Sequence, residues 1–178
     1  LGDGTLELAA LNTYTGITRV AQGVLSADTL ADGGSPSSIG AASNRNSNLV
    51  FAGGTLRYTG PTTRCDRAFT YGVTTNTLSF DVAQPETVLT LCNLGGSSMS
   101  SDKTSGTAIE KLGPGTLVFG NIPAKASGSV NKPLRALYVR AGILAGETGN
   151  MIQQNLYGLA ADGPCLVFGD GAELAYNT

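Results

Sequence analysis

The sequence predicts an all-β protein, a β-solenoid in which short parallel strands stack coil upon coil. Three observations support this fold class: short runs with apolar residues at every second position, turn-forming residues between the runs, and a cassette of three blocks that occurs twice. Of the 178 residues, 25 are glycine and only 13% are charged. An apolar content of 41% is too high for a disordered chain and is sufficient for the core of one domain.

Strands are predicted where apolar and polar residues alternate, because successive side chains of a strand point to opposite faces. These runs are 5–8, 55–58, 77–82, 87–91, 116–119, 137–140 and 173–176. Stacking would place the following residues in interior columns: Leu6, Val20, Leu56, Leu78, Leu89, Leu117, Val139 and Leu174. One short helix is predicted at 151–159, where apolar residues recur at roughly helical spacing.

The connections are predicted from low-complexity and turn-forming segments. Segments 31–48 and 95–106 are expected to be surface loops, the second of them mobile, and 123–133 is expected to be an inserted loop. Glycine and asparagine are expected at the corners of the coils, where positive φ is favoured. The corner residues are Asn12, Gly16, Gly23, Gly53, Gly54, Asn121 and Gly142.

The repeated cassette distinguishes a solenoid from a β-sandwich, the competing architecture. Block 4–8 matches 115–119, block 18–25 matches 137–144, and block 49–54 matches 166–171, in the same order. The tails 56–58 and 174–176 then follow. A sandwich has no reason to repeat such a cassette, whereas a solenoid is built from repeats. We therefore predict one solenoid segment over 1–178, in which 1–60 resembles 112–178 and 61–111 links the two copies.

The composition argues against several classes of function. The chain has no histidine, the commonest general base and the usual nitrogen ligand of zinc and copper. Its net charge of −2, with 11 scattered basic residues, offers no surface for nucleic acid. No apolar run is long enough for a transmembrane segment. No metal ligands, cofactor-binding residues or catalytic residues are predicted.

Three cysteines, Cys65, Cys92 and Cys165, leave their redox state open. None forms a CxxC pair, and without histidine a zinc site is not expected. They are either small buried side chains, or one disulfide with one remaining thiol, or one intermolecular bridge.

The first cassette, GTLELAALNTYTGITRVAQGVL, resembles the autotransporter-associated β-strand repeat, whose usual form is GTLxLxGxNTYTGxTxVxxGxL. Segment 12–16 matches the centre of the repeat, and Thr18, Val20, Gly23 and Leu25 match its tail. The second cassette opens with KLGPGTL at 111–117, close to the KxGxGTL form, but lacks the Asn-Thr-Tyr-Thr-Gly centre. The resemblance implies a right-handed parallel β-helix of a large secreted or surface-displayed bacterial protein. It implies neither a substrate nor catalytic residues.

Polysaccharide-active β-helix enzymes need clustered carboxylates, and the sequence offers three candidate groups. They are Asp66 beside Arg64 and Arg67, Asp81 with Glu86, and Asp170 with Glu173. The structural interpretation of Asp66 and its arginines is a surface ion pair, and that of Asp170 with Glu173 is a turn. Asp81 and Glu86 flank a turn at Pro85 and could bind calcium, but the glycine–aspartate repeat typical of calcium-binding β-helices is absent.

Tyrosines could form a glycan-binding strip if several shared one face. The six tyrosines are Tyr14, Tyr58, Tyr71, Tyr138, Tyr157 and Tyr176. Of these, Tyr58 and Tyr176 are expected to point into the core, because they alternate with Leu56 and Leu174.

The sequence thus predicts a non-enzymatic, extracellular or cell-surface structural or adhesive solenoid. It begins at one strand and ends within another, so we expect the ends to continue, either covalently in a larger protein or by stacking of identical subunits into a fibre. Surface glycans or other cells are the expected external partners. A polysaccharide lyase or hydrolase and a lectin-like glycan-binding module are the alternatives.

Overall fold

A computed structural model of the chain confirms an all-β solenoid. The structure describes residues 2–71, 77–92, 100–101, 108–120, 136–146, 166–168 and 173–176. The strands are β1 (Thr5–Leu8), β2 (Thr18–Val20), β3 (Val24–Ala27), β4 (Leu49–Phe51), β5 (Thr55–Tyr58), β6 (Thr63–Cys65), β7 (Thr70–Tyr71), β8 (Leu78–Val82), β9 (Val88–Cys92), β10 (Ser100–Ser101), β11 (Ala108–Leu112), β12 (Thr116–Gly120), β13 (Ala136–Val139), β14 (Ile143–Gly146), β15 (Leu166–Phe168) and β16 (Glu173–Tyr176). A single-turn 3-10 helix at Asn46–Asn48 precedes β4.

Three parallel sheets form the sides of the solenoid. The long sheet has the order β1-β3-β5-β8-β11-β13-β15, the five-stranded sheet β16-β14-β12-β9-β6, and the four-stranded sheet β10-β7-β4-β2. Consecutive strands β5, β6 and β7 lie one in each sheet, and β8, β9 and β10 repeat that order. A coil is therefore three-sided, and each strand pairs with its counterpart one coil away. Because the paired strands are parallel, the antiparallel β-sandwich is excluded.

In-register apolar columns fill the interior. Leu25 of β3 pairs with Leu56 of β5, which pairs with Phe80 of β8, so identical faces stack from coil to coil. Among the described side chains, four phenylalanine rings meet at the centre: Phe80 lies 5.0 Å from Phe51, 5.3 Å from Phe69 and 5.8 Å from Phe119, measured between ring centroids. The interior is thus a continuous core, not a channel.

Of the residues predicted for interior columns, six are confirmed as buried: Val20, Leu56, Leu78, Leu89, Leu117 and Val139. The prediction is wrong for Leu6, whose side chain is 60% exposed. Among the described strands β1 pairs only with β3, so no other described coil covers Leu6. Leu174 lies in β16, and its side chain is outside the described part of the structure.

The predicted connections need correction. Segment 31–48 is not a purely surface loop, because Ser37, Ser38, Ile39 and Ala42 are all 2% exposed or less. The predicted loop 95–106 contains strand β10, and its other residues lie outside the described part of the chain. The predicted insertion at 123–133 and the predicted helix at 151–159 also fall on residues that the structure does not describe.

The two cassettes have the same strand registers. In the first, Thr18–Val20 pairs with Leu49–Phe51. In the second, their matches pair in the same way, as Leu137 with Leu166 and Val139 with Phe168. The β1-β3-β5 register likewise reappears in β12-β14-β16. That the halves are duplicates stays a prediction, and these registers are compatible with it.

Matching corners connect the strands of each cassette. Gly23 and Gly142, which precede β3 and β14, have φ values of 66° and 64°. A side chain at Gly142 would also meet the carbonyl oxygen of Pro114 at 2.6 Å, so both backbone conformation and space require glycine. Gly53 also has positive φ, as predicted, whereas Gly16 and Gly54 do not.

Candidate functional site

The most elaborate irregular feature is the segment 28–48 between β3 and β4, here called the insert. The repeat centre at 12–16 binds it through the backbone: the Asn12 amide donates to the Ser37 carbonyl (2.9 Å), and the Ala41 amide donates to the Tyr14 carbonyl (2.7 Å). The Asn12 side chain adds a hydrogen bond from Nδ2 to the Ser38 carbonyl (2.9 Å). Asn12 therefore fastens the insert, which is more than the corner role that the sequence predicts for it.

Arg67 fixes the insert from the other side. The residue is only 4% exposed, and its guanidinium donates to four insert carbonyls, those of Ala31 (3.0 Å), Ser35 (3.2 Å), Gly40 (2.9 Å) and Ala42 (2.7 Å). Burial lowers the pKa of Arg67 from its ordinary value. One cation thus satisfies four backbone acceptors that have no strand partner.

Asp66 binds the insert as well. Its Oδ1 accepts from the Gly33 amide (2.6 Å) and its Oδ2 from Nδ2 of Asn44 (2.9 Å). The surface ion pair predicted for Asp66 and its arginines is therefore wrong with respect to Arg67, which is buried on backbone carbonyls. This group is a structural clamp and offers no vacant acid–base pair.

A second buried cation lies at the corner between β11 and β12. Lys111 is fully enclosed, and its Nζ donates to the carbonyls of Leu112 (2.6 Å), Gly113 (2.8 Å) and Ala141 (3.2 Å). Burial lowers the pKa of Lys111 to about 8, an effect that Asp81 partly opposes. Because Ala141 belongs to the next coil, Lys111 joins two successive corners.

Neither cation was predicted to be internal, although the sequence contains a signal for both. Arg67 stands two residues after Cys65 and two before Phe69, in phase with the inward side chains. Lys111 stands two residues after the buried Ile109. Alternation within β11 therefore places Lys111 inward, and Arg67 keeps the phase of Cys65 beyond the end of β6, against the general rule that charges stay outside.

The outer surface of the long sheet carries charges that are paired across coils. Arg57 Nε lies 3.4 Å from Asp81 Oδ2, and Arg140 Nε lies 2.9 Å from Glu110 Oε1. The Arg140 guanidinium also lies 4.5 Å above the Tyr138 ring. These pairs leave no strong single-sign charge on this face, and each contributes little to stability because it is half exposed.

The remaining carboxylate candidates do not assemble a catalytic centre. Asp81 is paired with Arg57, and Glu86 is exposed. Asp170 and the Glu173 side chain lie outside the described residues. Within the described ranges, no group of three or more Asp, Glu, Cys or His side chains is placed to hold a metal ion.

The described tyrosines do not share one face. Tyr58 is buried as predicted and donates to the Pro61 carbonyl (2.7 Å), and burial raises its pKa to about 12. Tyr14 is 41% exposed beside the insert, whereas Tyr138 lies on the long sheet against Arg140. Tyr157 and the side chains of Tyr71 and Tyr176 are outside the described part of the structure.

Cys65 is buried in the core, as expected for a small apolar side chain. Cys165 and the Cys92 side chain lie outside the described residues, so the choice among the cysteine alternatives stays open. Within the part of the chain that the structure describes, no helix has the length and apolar character needed to cross a membrane.

Comparison with known proteins gives two matches. Residues 1–27, which contain β1 to β3, match the family model of the passenger-associated-transport-repeat. The adhesin BmaC autotransporter of Brucella suis biovar 1 (strain 1330) is 42% identical over 119 residues, which are 66% of this chain and 3% of that protein. No solved structure matches the chain. These findings confirm the resemblance to autotransporter passenger repeats.

Proposed function

We propose that this chain is a non-enzymatic structural or adhesive segment of a bacterial surface or secreted protein. The observation that carries the proposal is the 42% identity with an autotransporter adhesin over 66% of the chain. The passenger repeat at residues 1–27 supports the same location. Because the chain spans only 3% of the length of that relative, the role concerns this segment and not a whole protein.

The solenoid suits such a role because stacked coils resist bending. Each interior strand of a sheet is hydrogen-bonded on both sides, and the aromatic cluster joins the three sheets. A rod of this kind holds any attached segment at a fixed height and orientation. The insert is the best-defined segment to be presented, since Arg67, Asp66 and Asn12 hold its backbone.

The insert offers a polar contact surface on this rigid base. Its exposed side chains include Asp32, Ser35, Ser43, Arg45 and Ser47. A fixed backbone lowers the entropy that binding would otherwise cost. The proposed adhesive contact is therefore made by the outer residues of the insert, with surface glycans or other cells as partners.

The test measures adhesion of the chain itself. Beads coated with the purified chain should bind cultured epithelial cells saturably, and an Arg45→Glu/Ser47→Glu double substitution should reduce binding at least fivefold. The control is an Arg57→Glu chain, whose change lies on the long sheet. Failure of the folded wild-type chain to bind would contradict adhesion, and an unaffected double variant would contradict the insert as the contact.

End-on association is the second part of the proposal. Leu6 is 60% exposed on β1, whose only described partner strand is β3. An exposed parallel strand edge with an apolar residue favours pairing with another coil. Light scattering should show oligomers that grow with concentration and that Leu6→Asp abolishes. A wild-type chain that stays monomeric up to millimolar concentration would contradict stacking.

The absence of catalytic function is also open to direct measurement. Asp66 is hydrogen-bonded to the insert, and Asp81 is paired with Arg57, so both carboxylates have structural partners. We therefore expect no product in a screen of bacterial and host polysaccharides. Cleavage that is lost on Asp81→Asn or Glu86→Gln would overturn this part of the proposal.

A further inference from the structure

The outer side of the five-stranded sheet is uncharged over three middle coils, unlike the long sheet with its ion pairs. Strand register arranges the outward residues of β9, β12 and β14 in two rows, Val88, Thr116 and Ile143 in one and Thr90, Val118 and Ala145 in the other. These six residues are here called the neutral face. We propose that the neutral face is a lateral docking surface for a second copy of this chain. The proposal rests on surface display, the proposed function, and is independent of end-on stacking.

The six side chains point outward because they alternate with core residues. The residues between them, Leu89, Leu117 and Leu144, are 1% exposed or less. Thr90 is 8% exposed, and the other five residues of the neutral face are partly exposed. The described part of the structure therefore leaves this side of the sheet accessible to a partner.

The composition of the neutral face narrows the class of partner. Nucleic acid and acidic lipid headgroups require basic side chains, and stacking on a sugar ring requires an aromatic one, but none of the six residues is basic or aromatic. Five of the six are β-branched, so they have few rotamers and lose little entropy on association. The surface that suits such a face is the outer side of another β-sheet.

The spacing of the side chains favours a second solenoid over other sheets. Parallel strands in register repeat at about 4.8 Å along the solenoid, and the two rows are roughly 6.6 Å apart along the strands. A partner that interdigitates with all three coils must have the same spacing. A second copy of the chain meets this condition without adjustment.

Two-fold symmetry makes the neutral face complementary to itself. An axis parallel to the solenoid places each row opposite the other row of the second copy, at the same coil. The large Ile143 then lies opposite the small Ala145 of the second copy, and Val118 lies opposite Thr116 of the second copy. Both solenoids run in the same direction, as they must when two copies are anchored to one surface.

The size of the neutral face determines how strongly it can bind. Two rows over three coils cover roughly 200 Å², well below the ~800 Å² per partner of a stable interface. In free solution the Kd is therefore expected to be on the order of a millimolar. Copies held on one surface reach millimolar effective concentrations, so a neighbouring copy is the occupant that this small face can retain.

The first experiment measures self-association of the ¹⁵N-labelled Leu6→Asp chain, in which end-on pairing is disabled. Between about 0.05 and 2 mM, the amide signals of residues 88–90, 116–118 and 143–145 should shift along a monomer–dimer curve. A further Val118→Lys substitution should reduce these shifts at least fivefold, because it places a charge within the contact. Thr55→Lys, which adds the same charge outside the long sheet, should leave them unchanged. Absence of concentration-dependent shifts, or equal loss in both lysine variants, would overturn the proposal.

The second experiment tests the two-fold arrangement with changes that add no charge. In the same Leu6→Asp chain, Ala145→Ile places two large side chains opposite each other and should raise the dimer Kd at least threefold. Exchanging both residues, as Ile143→Ala/Ala145→Ile, restores one large and one small side chain and should recover the original Kd. An exchanged chain that binds no better than the single variant would overturn this arrangement.

The third experiment separates lateral docking from adhesion. Donor- and acceptor-labelled Leu6→Asp chains are tethered to a fluid supported bilayer without cells, and energy transfer is compared with that of chains that also carry Val118→Lys, at equal density. Higher transfer without the lysine is expected, and equal transfer would overturn docking through the neutral face. If the chain fails to bind cells but retains the higher transfer, adhesion is contradicted and lateral docking is supported.

Discussion

Arg67 and Lys111 are cationic side chains inside an apolar solenoid, and both donate their hydrogen bonds to backbone carbonyls. Irregular segments leave such carbonyls without a strand partner, and a buried carbonyl without a donor is costly. A single cation can satisfy several of them, which offsets part of its own desolvation. The choice of residue follows the geometry: the wide guanidinium spans the insert, and the compact ammonium fits the corner.

Replacing Arg67 by lysine tests this geometric argument. A lysine keeps the charge but has only three donor hydrogens, all on one nitrogen. It therefore cannot replace the four hydrogen bonds that the guanidinium makes to carbonyls of the insert. We expect Arg67→Lys to lower the free energy of unfolding by about 2–4 kcal/mol in urea titrations. Arg57→Lys, at a half-exposed ion pair, should change it by less than about 0.5 kcal/mol. Similar losses for both would show that the guanidinium shape does not matter.

Because Lys111 is buried, we expect the stability of the chain to rise with pH in the alkaline range. The pKa of Lys111 falls from 10.5 to about 8 on folding, so between these pH values the unfolded chain binds more protons than the folded chain. Stability must therefore rise with pH across this window, by up to about 3 kcal/mol. The measurement is the difference in unfolding free energy between wild type and Lys111→Met from pH 7.5 to 10.5.

The same comparison controls for Tyr58. Its pKa is raised from 10.0 to about 12, so it removes stability as pH rises above 10, but it does so in both chains. A difference between wild type and Lys111→Met that is constant with pH would refute an internal lysine with a lowered pKa.

At the scale of elements, alternation predicted seven of the sixteen described strands, because a strand with one buried face has a local signature. Of the nine strands that it did not predict, six span only two or three residues, which is too short for alternation to be recognised. Leu56 and Leu117, for example, are buried as their phase requires. The insert was assigned to the surface because its own sequence is small and polar. Its burial depends on Arg67, which belongs to the next coil, and such a contact across coils leaves no local signature.

The candidate site was less predictable than the strands. Asp66 and its two arginines were singled out as a charged group, but the partners of Asp66 and Arg67 are backbone carbonyls, a backbone amide and a side-chain amide of the insert. Backbone acceptors carry no residue identity, so no motif could indicate them.

Two glycines, Gly142 at a corner and Gly34 in the insert, allow the cost of a steric clash to be distinguished from the cost of backbone strain. Gly142 and Gly34 both have positive φ, but a side chain at Gly142 would meet carbonyl oxygens of residues 113–115, whereas one at Gly34 would meet nothing within 4 Å. We expect Gly34→Ala to cost about 1 kcal/mol and Gly142→Ala about 3 kcal/mol or more, as measured by chemical denaturation. Equal costs would mean that the corner carbonyls move aside and that strain alone sets the requirement for glycine.

At the scale of the whole molecule, strands that match between the two cassettes lie in different sheets, shifted by one side of the three-sided coil. Strands β1, β3 and β5 lie in the long sheet, but their matches β12, β14 and β16 lie in the five-stranded sheet. Strands β2 and β4 of the four-stranded sheet likewise match β13 and β15 of the long sheet. Equivalent connections therefore join different pairs of sheets in the two cassettes. Sequence order alone does not reveal this shift from one sheet to the next, because it depends on the number of coil sides between the two matched cassettes.

A solenoid of this kind has contacts mainly between neighbouring coils, so a defect in the middle should uncouple its two halves. Phe80 is fully buried, and its ring contacts those of Phe51, Phe69 and Phe119, which belong to preceding and following coils. We expect Phe80→Ala to cost about 3–5 kcal/mol and to split denaturant unfolding into two steps. Hydrogen exchange should then show separate protection for residues 18–71 and 108–146.

The matched control for this prediction is Leu25→Ala, in the strand next to β1. Its cavity lies near one end of the described stack, so it should weaken protection of residues 5–27 and leave β8 to β14 unchanged. If coils are coupled only to their neighbours, a cavity in an end coil should destabilise fewer coils than a cavity in the middle, because the end coil has a neighbour on one side only. If Phe80→Ala instead gave one cooperative transition with an unchanged dependence on denaturant, the coils would be coupled over the whole solenoid. The aromatic cluster would then contribute to overall stability without dividing the molecule into two cooperative halves.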